Sequence, residues 1–371
     1  MFSKYLKTWI SLAFILCLTA TFSAQTNLKD AYKNDFLIGA ALNPNQYNER
    51  DKNGAELVKK HFNSITAENV MKWQKIHPLN GKYDFGEADK FVEFGLKNNM
   101  VIIGHTLVWH NQTPKWVFED EKGNPVSRDE LLKRMKDHIF TVVGRYKGKV
   151  KGWDVVNEAL NDDGTLRQSP WLKIIGEDYI AKAFQFAHEA DPQAELYYND
   201  YSLENGAKGN GAIKLVKKLQ AQNIHVTGIG TQGHWDLKFP TIEQINKTIS
   251  EFSKLGKVMI TELDVDVLPT PYGFSGAEIT VNFELQEKLN PFKKGLPEEI
   301  QKKQAQRYGE IFKIFLKHKE HISRVTFWGV TDGDSWKNNF PVRGRTNYPL
   351  LFDRQWKIKP AFDAVTEAAK Q

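Results

Sequence analysis

The 371 residues contain one cysteine, Cys17. A single thiol excludes an intramolecular disulfide framework and any cysteine-built zinc or iron–sulfur centre. Past the first two dozen residues, no apolar run approaches the length of a membrane span. Lys and Arg number 51 against 45 Asp and Glu, with no basic block or recognition motif, so charge gives no case for nucleic acid. The chain also lacks a GxSxG elbow, an HExxH or HxH pattern, and a Gly-rich dinucleotide fingerprint after its first strand. Serine-triad, zinc-peptidase and nucleotide-cofactor chemistry lose their usual signatures together, and no cofactor or metal is expected.

What is present begins with a processing segment. Lys4 and Lys7 precede an apolar run from about Trp9 to Leu18, and small residues follow it. That is the layout of a secretory signal peptide. Cys17 lies inside the apolar run behind bulky Leu16, which argues against lipidation. Residues 1–24 are therefore expected to be removed, leaving residues 25–371 as one catalytic domain, periplasmic or extracellular and acting as a monomer. The mature chain then has no cysteine and keeps nine of the 10 tryptophans.

Past residue 30, short β-rich runs alternate with amphipathic stretches. Strands are predicted at 36–42, 64–70, 100–109, 150–158, 194–200, 226–235, 258–265 and 323–330, each followed by a helical pattern. Eight β-then-α units argue for an α/β protein of the closed (β/α)8 TIM-barrel class, with an extended loop after strand seven, about 266–296. Such barrels carry their chemistry at the C-terminal ends of the strands. Those ends are rich here in polar groups and indoles: Glu68, Asn69 and Lys72; His105, Trp109 and Gln112; Asn157 and Glu158; Tyr201; Gln232 and His234; Glu262 and Asp264; Trp328 and Trp336.

Glu158 and Glu262 end strands four and seven, placing two carboxyl groups across one barrel mouth. Cleaving an acetal needs such a pair, one protonated and one ionised. A lone glutamate there is equally a cap or an ion-pair partner; two inside apolar strands are harder to explain, since an unpaired buried charge is costly. His234 is placed to donate to Glu262, with Asp264 holding the ring tautomer. While Glu262 is ionised, its charge is expected to raise the pKa of Glu158. A metal site from His105, His110, His234 and Asp264 fails on spacing, because residues five apart on a strand face opposite ways. Indoles suit the flat C–H faces of sugars, and amides and carboxylates suit their hydroxyls. Trp153 is assigned to the core, and Trp73, Trp116, Trp171 and Trp356 are unassigned.

The segments ENVMKW at 68–73, HTLVWH at 105–110, WDVVNE at 153–158, GIGTQGH at 228–234, ITELD at 260–264, WGVTDGDSW at 328–336 and RTNYPLLFD at 345–353 resemble glycoside hydrolase family 10, the retaining endo-β-1,4-xylanases. The resemblance implies Glu158 as acid/base, Glu262 as nucleophile, and His234 and Asp264 as its support, with xylan as partner. It places Glu68, Asn69 and Lys72 on the glycone-side sugar, and Tyr201 on the aglycone side. His105, Trp109, Gln112, Asn157, Gln232, Trp328 and Trp336 line the central subsites. Ser202, where Asn is frequent, and the long 266–296 stretch depart from the family pattern. A glucan- or mannan-cleaving barrel and a non-catalytic saccharide-binding barrel remain the rival readings.

Overall fold

Runs of Ile, Val and Leu too short for helices become strands buried on both faces, as parallel strands covered by helices must be. The computed structural model describes residues 27–370, and the signal-peptide segment lies outside them. Its strands are β1 (Leu37–Leu42), β2 (Ser64–Ala67), β3 (Val101–Val108), β4 (Gly152–Asn157), β5 (Glu195–Asp200), β6 (Gly228–Thr231), β7 (His234–Asp236), β8 (Lys257–Asp266) and β9 (Ile322–Phe327). All pair in parallel, and β1 bonds both β2 and β9, which closes the barrel. The expected (β/α)8 fold is present, with one difference. The predicted sixth strand is broken in two at Gly233, whose φ of 81° suits glycine and few other residues. β6 stays in the wall beside β8, while β7 continues the line and sets His234 in register with Asp264.

Among the described residues eight long helices cover the barrel: Lys52–His61, Gly86–Lys97, Arg128–Arg145, Tyr179–Ala190, Gly206–Ala221, Ile242–Phe252, Glu298–Lys317 and Pro360–Ala368. Their starts follow local chemistry. The Ser127 hydroxyl accepts from Glu130 N at 3.2 Å, and Thr241 forms a capping box with Gln244. Each such cap is worth about 1 kcal/mol. Ile65, Ile102, Val155, Leu196, Ile229, Val258 and Val325 are essentially solvent-free between strands and helices. Full burial of each aliphatic side chain contributes about 1.5–3 kcal/mol, which offsets the polar layer above. Trp153 is buried in that core, as expected.

The floor of the mouth is ionic. Asp154 accepts from His105 Nδ1 at 2.9 Å and lies 3.6 Å from Arg324, which stands over the Tyr197 ring. Irregular register in β3, β4 and β8 turns side chains into the mouth at these levels. The loop after β8 carries one short turn of helix, Glu287–Leu289, and a bridge from Phe283 to Val342. Phe274 packs 5.6 Å from Phe340, whose ring stacks on Trp336. The loop therefore leans on the catalytic face. No helix among the described residues is long and apolar enough to cross a membrane.

Candidate active site

Glu158 directly follows β4 and adopts φ 56°, a left-handed conformation that a non-glycine residue holds at a cost of about 1–2 kcal/mol. That turn sends its carboxyl into the mouth, where three donors meet it. Trp109 Nε1 donates to Oε2 at 2.8 Å, while Gln232 Nε2 and Asn157 Nδ2 donate to Oε1 at 3.0 and 3.1 Å. The group is 3% exposed. Burial pushes its pKa up and the negative charge of Asp200 adds to this, against His110, Gln232 and Trp109. From the sequence, Glu262 is the expected source of the upward push; in the structure burial is the main cause, and Asp200 adds a like charge. The result is a carboxyl group biased toward holding its proton.

Glu262 has the opposite bias. Burial alone would raise its pKa, but the His234 hydrogen bond and the positive potential of His105, His234 and Lys72 lower it. His234 Nε2 lies 3.2 Å from Glu262 Oε2, and its Nδ1 lies 3.0 Å from Asp264 Oδ2. Trp336 Nε1 donates to the same Asp264 oxygen at 2.8 Å. Two carboxyl groups in one cleft are thus driven apart in proton affinity, one toward its acid form and one toward its anion.

His234 sits between two acids and is held in its charged form by them. Burial lowers its pKa, but Asp264 and Glu262 outweigh this and raise it from 6.5 to about 8. A raised folded-state pKa stabilises fully below the unfolded value and loses that contribution as pH rises through about 8. The rise corresponds to about 2 kcal/mol. We expect the difference in unfolding free energy between the wild type and His234→Asn to shrink by roughly that amount between pH 6 and pH 9. A pH-independent difference in denaturant titrations counts against the charged imidazole.

The remaining expected residues line the same cleft, except Asp264, behind His234, and Tyr201, whose hydroxyl accepts from Arg167 at 3.0 Å. Lys72 Nζ and Gln112 Nε2 both donate to Asn69 Oδ1, at 3.1 and 3.3 Å. Lys72 also sits 4.9 Å above the Trp109 ring. Burial lowers its pKa against the pull of Glu262, Glu68 and Glu158. The Glu68 carboxyl is pushed up by burial, with Lys72 opposing. Trp328 packs edge-on against His105, with centroids 5.3 Å apart. Two indoles expected only as platforms prove to be donors to the acidic groups as well: Trp109 to Glu158 and Trp336 to Asp264. Trp73 and Trp171 are core residues, and Trp171 Nε1 holds the Trp109 carbonyl at 3.0 Å.

Asn199 is a site residue that the sequence does not single out. Its Nδ2 lies 2.9 Å from both Asn157 Oδ1 and Glu262 Oε1, and its Oδ1 accepts from Thr261 at 2.6 Å. One amide therefore links the surroundings of both glutamates. The register of β5 beside β4, Asn199 against Asn157, is the signal that would have found it. The three histidines considered for a metal have separate partners, with His105 on Asp154 and His110 3.7 Å from Glu278. Among the described residues no group of three or more His, Cys, Asp or Glu is arranged to hold a metal ion.

A glycosyl hydrolase family 10 model matches residues 27–368. The chain belongs to glycosyl hydrolase family 10. Within that family, endo-1,4-beta-xylanase A of Xylanibacter ruminicola is 48% identical, over 93% of this chain and 94% of that protein. The beta-1,4-xylanase of Dictyoglomus thermophilum is also 48% identical, over 91% of this chain and 89% of its own length. Among solved structures, a family 10 endoxylanase retrieved from a sugarcane soil metagenome superposes with a TM-score of 0.89 at 46% identity. That match covers 92% of this chain and 99% of the other.

Proposed function

We propose that this chain is a secreted endo-1,4-β-xylanase that hydrolyses internal β-1,4-xylosidic bonds with retention. The observation that carries the reading is the opposed pair: Glu158 biased toward its acid form and Glu262 toward its anion, in one cleft bordered by indoles. Family membership and the xylanase names of its relatives support the substrate.

In the first step Glu158 gives its proton to the glycosidic oxygen as the bond from C1 to that oxygen breaks. A Glu262 oxygen forms the new bond to C1 on the opposite face, giving a glycosyl ester. His234 and Asn199 hold Glu262 with its lone pairs directed, so little ordering is left to the transition state. In the second step a water oxygen bonds to C1, the ester bond breaks, and the water proton passes to Glu158. Burial that makes Glu158 a reluctant acid also makes its anion a strong base, so one environment serves both steps. Glu68, Asn69 and Lys72 bind the glycone-side sugar, Tyr201 meets the aglycone side, and Trp328 and Trp336 flank the central sugars.

Reducing-end release and chain-length analysis on xylan, mixed-linkage β-glucan and mannan test the substrate. We expect short xylo-oligosaccharides and a rapid fall in xylan viscosity, with little release from the other two. Comparable release from glucan or mannan assigns the chain to a different polysaccharide. The same assay on culture fluid and washed cells tests secretion, for which the support is the N-terminal pattern of residues 1–24.

A further inference from the structure

Arg167 follows β4 and belongs to none of the segments that pointed to the site. Its Nε donates to the main-chain oxygen of Glu158 at 3.1 Å, and Nη2 donates to the Tyr201 hydroxyl at 3.0 Å. Nη1 donates to Glu278 Oε2 at 2.6 Å. Glu278 lies in the long loop after β8. Its other oxygen is already fixed within that loop, accepting from the Thr280 hydroxyl at 2.9 Å. One ion pair thus ties the turn that carries Glu158 to a segment more than a hundred residues further along.

The loop is shaped to be held there. Ala277 and Ile279 line the cleft with Glu158 and Glu262, while Glu278 between them meets Arg167. Gly276 has φ 81°, and a Cβ on it would stand 2.8 Å from the Tyr201 ring, so the main chain approaches closer than a side chain permits. The Arg167 and Glu278 side chains are 19% and 21% exposed, which sets this pair apart from the solvated ion pairs of the outer helices.

We propose that the Arg167–Glu278 pair latches residues 276–280 onto the leaving-group side of the cleft, making Arg167 a positioning residue for Glu158 and for the departing sugar. This rests on the reading of Glu158 as acid/base and of the Tyr201 side as the aglycone side. Held in this way, the loop after β8 forms the wall against which the leaving sugar is aligned. The latch also braces the left-handed turn of Glu158 through its carbonyl oxygen. Both effects fall on substrates whose leaving group is a sugar that needs contacts and a proton. An activated aryl group needs neither.

The test is steady-state kinetics of the full mature chain carrying Glu278→Ala, Glu278→Gln or Glu158→Ala, on xylopentaose and on 2,4-dinitrophenyl β-xylobioside. For Glu278→Ala we expect kcat/KM on xylopentaose to fall about ten-fold or more, as for loss of a charged hydrogen bond. On the aryl substrate it should stay within about two-fold. Glu278→Gln keeps an acceptor for Arg167 and should recover part of the loss. Parallel losses on both substrates, or no loss on either, overturn the latch. Equal losses for Glu158→Ala on both substrates overturn instead the role of Glu158 on which it rests. A normal Glu158→Ala split with an unchanged Glu278→Ala ratio overturns the latch alone.

Discussion

Glu262→Ala is expected to lower kcat/KM on the order of 10⁵-fold on every substrate, activated aryl xylosides included. The reason is that no other group in the cleft can take its place. Glu262 is held ionised by His234, and one of its oxygens accepts from Asn199. A water in the vacated space is a far weaker nucleophile, and His234 beside it is still held toward its charged form by Asp264. A good leaving group relieves the need for an acid but not for a nucleophile, so changing the aglycone should not restore the rate. Thermal unfolding should show that the variant is folded, because Asp264 still partners His234 when Glu262 is gone.

Glu158→Ala should behave differently. On xylan, whose leaving group is a sugar hydroxyl, loss of the proton donor is expected to cost about 10²–10⁴-fold in kcat/KM. On 2,4-dinitrophenyl β-xylobioside the first step needs no proton, and kcat/KM should stay close to wild type. The second step then lacks its base, so the glycosyl ester accumulates and a burst of phenolate precedes a slow steady state. Azide, a nucleophile that needs no deprotonation, should restore turnover and give a β-glycosyl azide. The descending alkaline limb of the wild-type pH profile, set by Glu158 losing its proton above the usual carboxylate range, should disappear on the aryl substrate. If the two variants respond alike to the leaving group, the roles are not divided as described.

Much of this was legible in the residues. Eight apolar runs alternating with amphipathic stretches fix the barrel because burial on both faces leaves few other closed solutions. Glu158 and Glu262 stood out because carboxylates inside apolar strands require an explanation. The break of the sixth strand was less visible: Gly233 sits among residues that read as one β run, and only its positive φ separates β6 from β7. Asn199 carries no local signal that sets it apart from other polar residues at strand ends. Its position between the glutamates depends on register, which sets it beside Asn157 of the neighbouring strand, and on the approach of Glu262 from β8. Arg167 and Glu278 were hidden for the same reason, since no local pattern announces an ion pair that spans two loops. Among the described residues four short helices, Leu28–Ala31, Pro44–Tyr47, Trp73–Ile76 and Pro170–Ile175, span fewer than two turns each and leave no periodicity to detect.

The division of roles between the two glutamates is tested most directly by trapping. A 2-deoxy-2-fluoro-β-xylobioside with a dinitrophenyl leaving group slows both steps, because fluorine disfavours the cationic transition state, while the activated leaving group keeps the first step the faster one. The enzyme should lose activity in step with release of one dinitrophenolate, and peptide mass spectrometry should find the fluoro-sugar esterified to Glu262. A label on Glu158 or any other residue, or turnover with no covalent adduct, would contradict the mechanism.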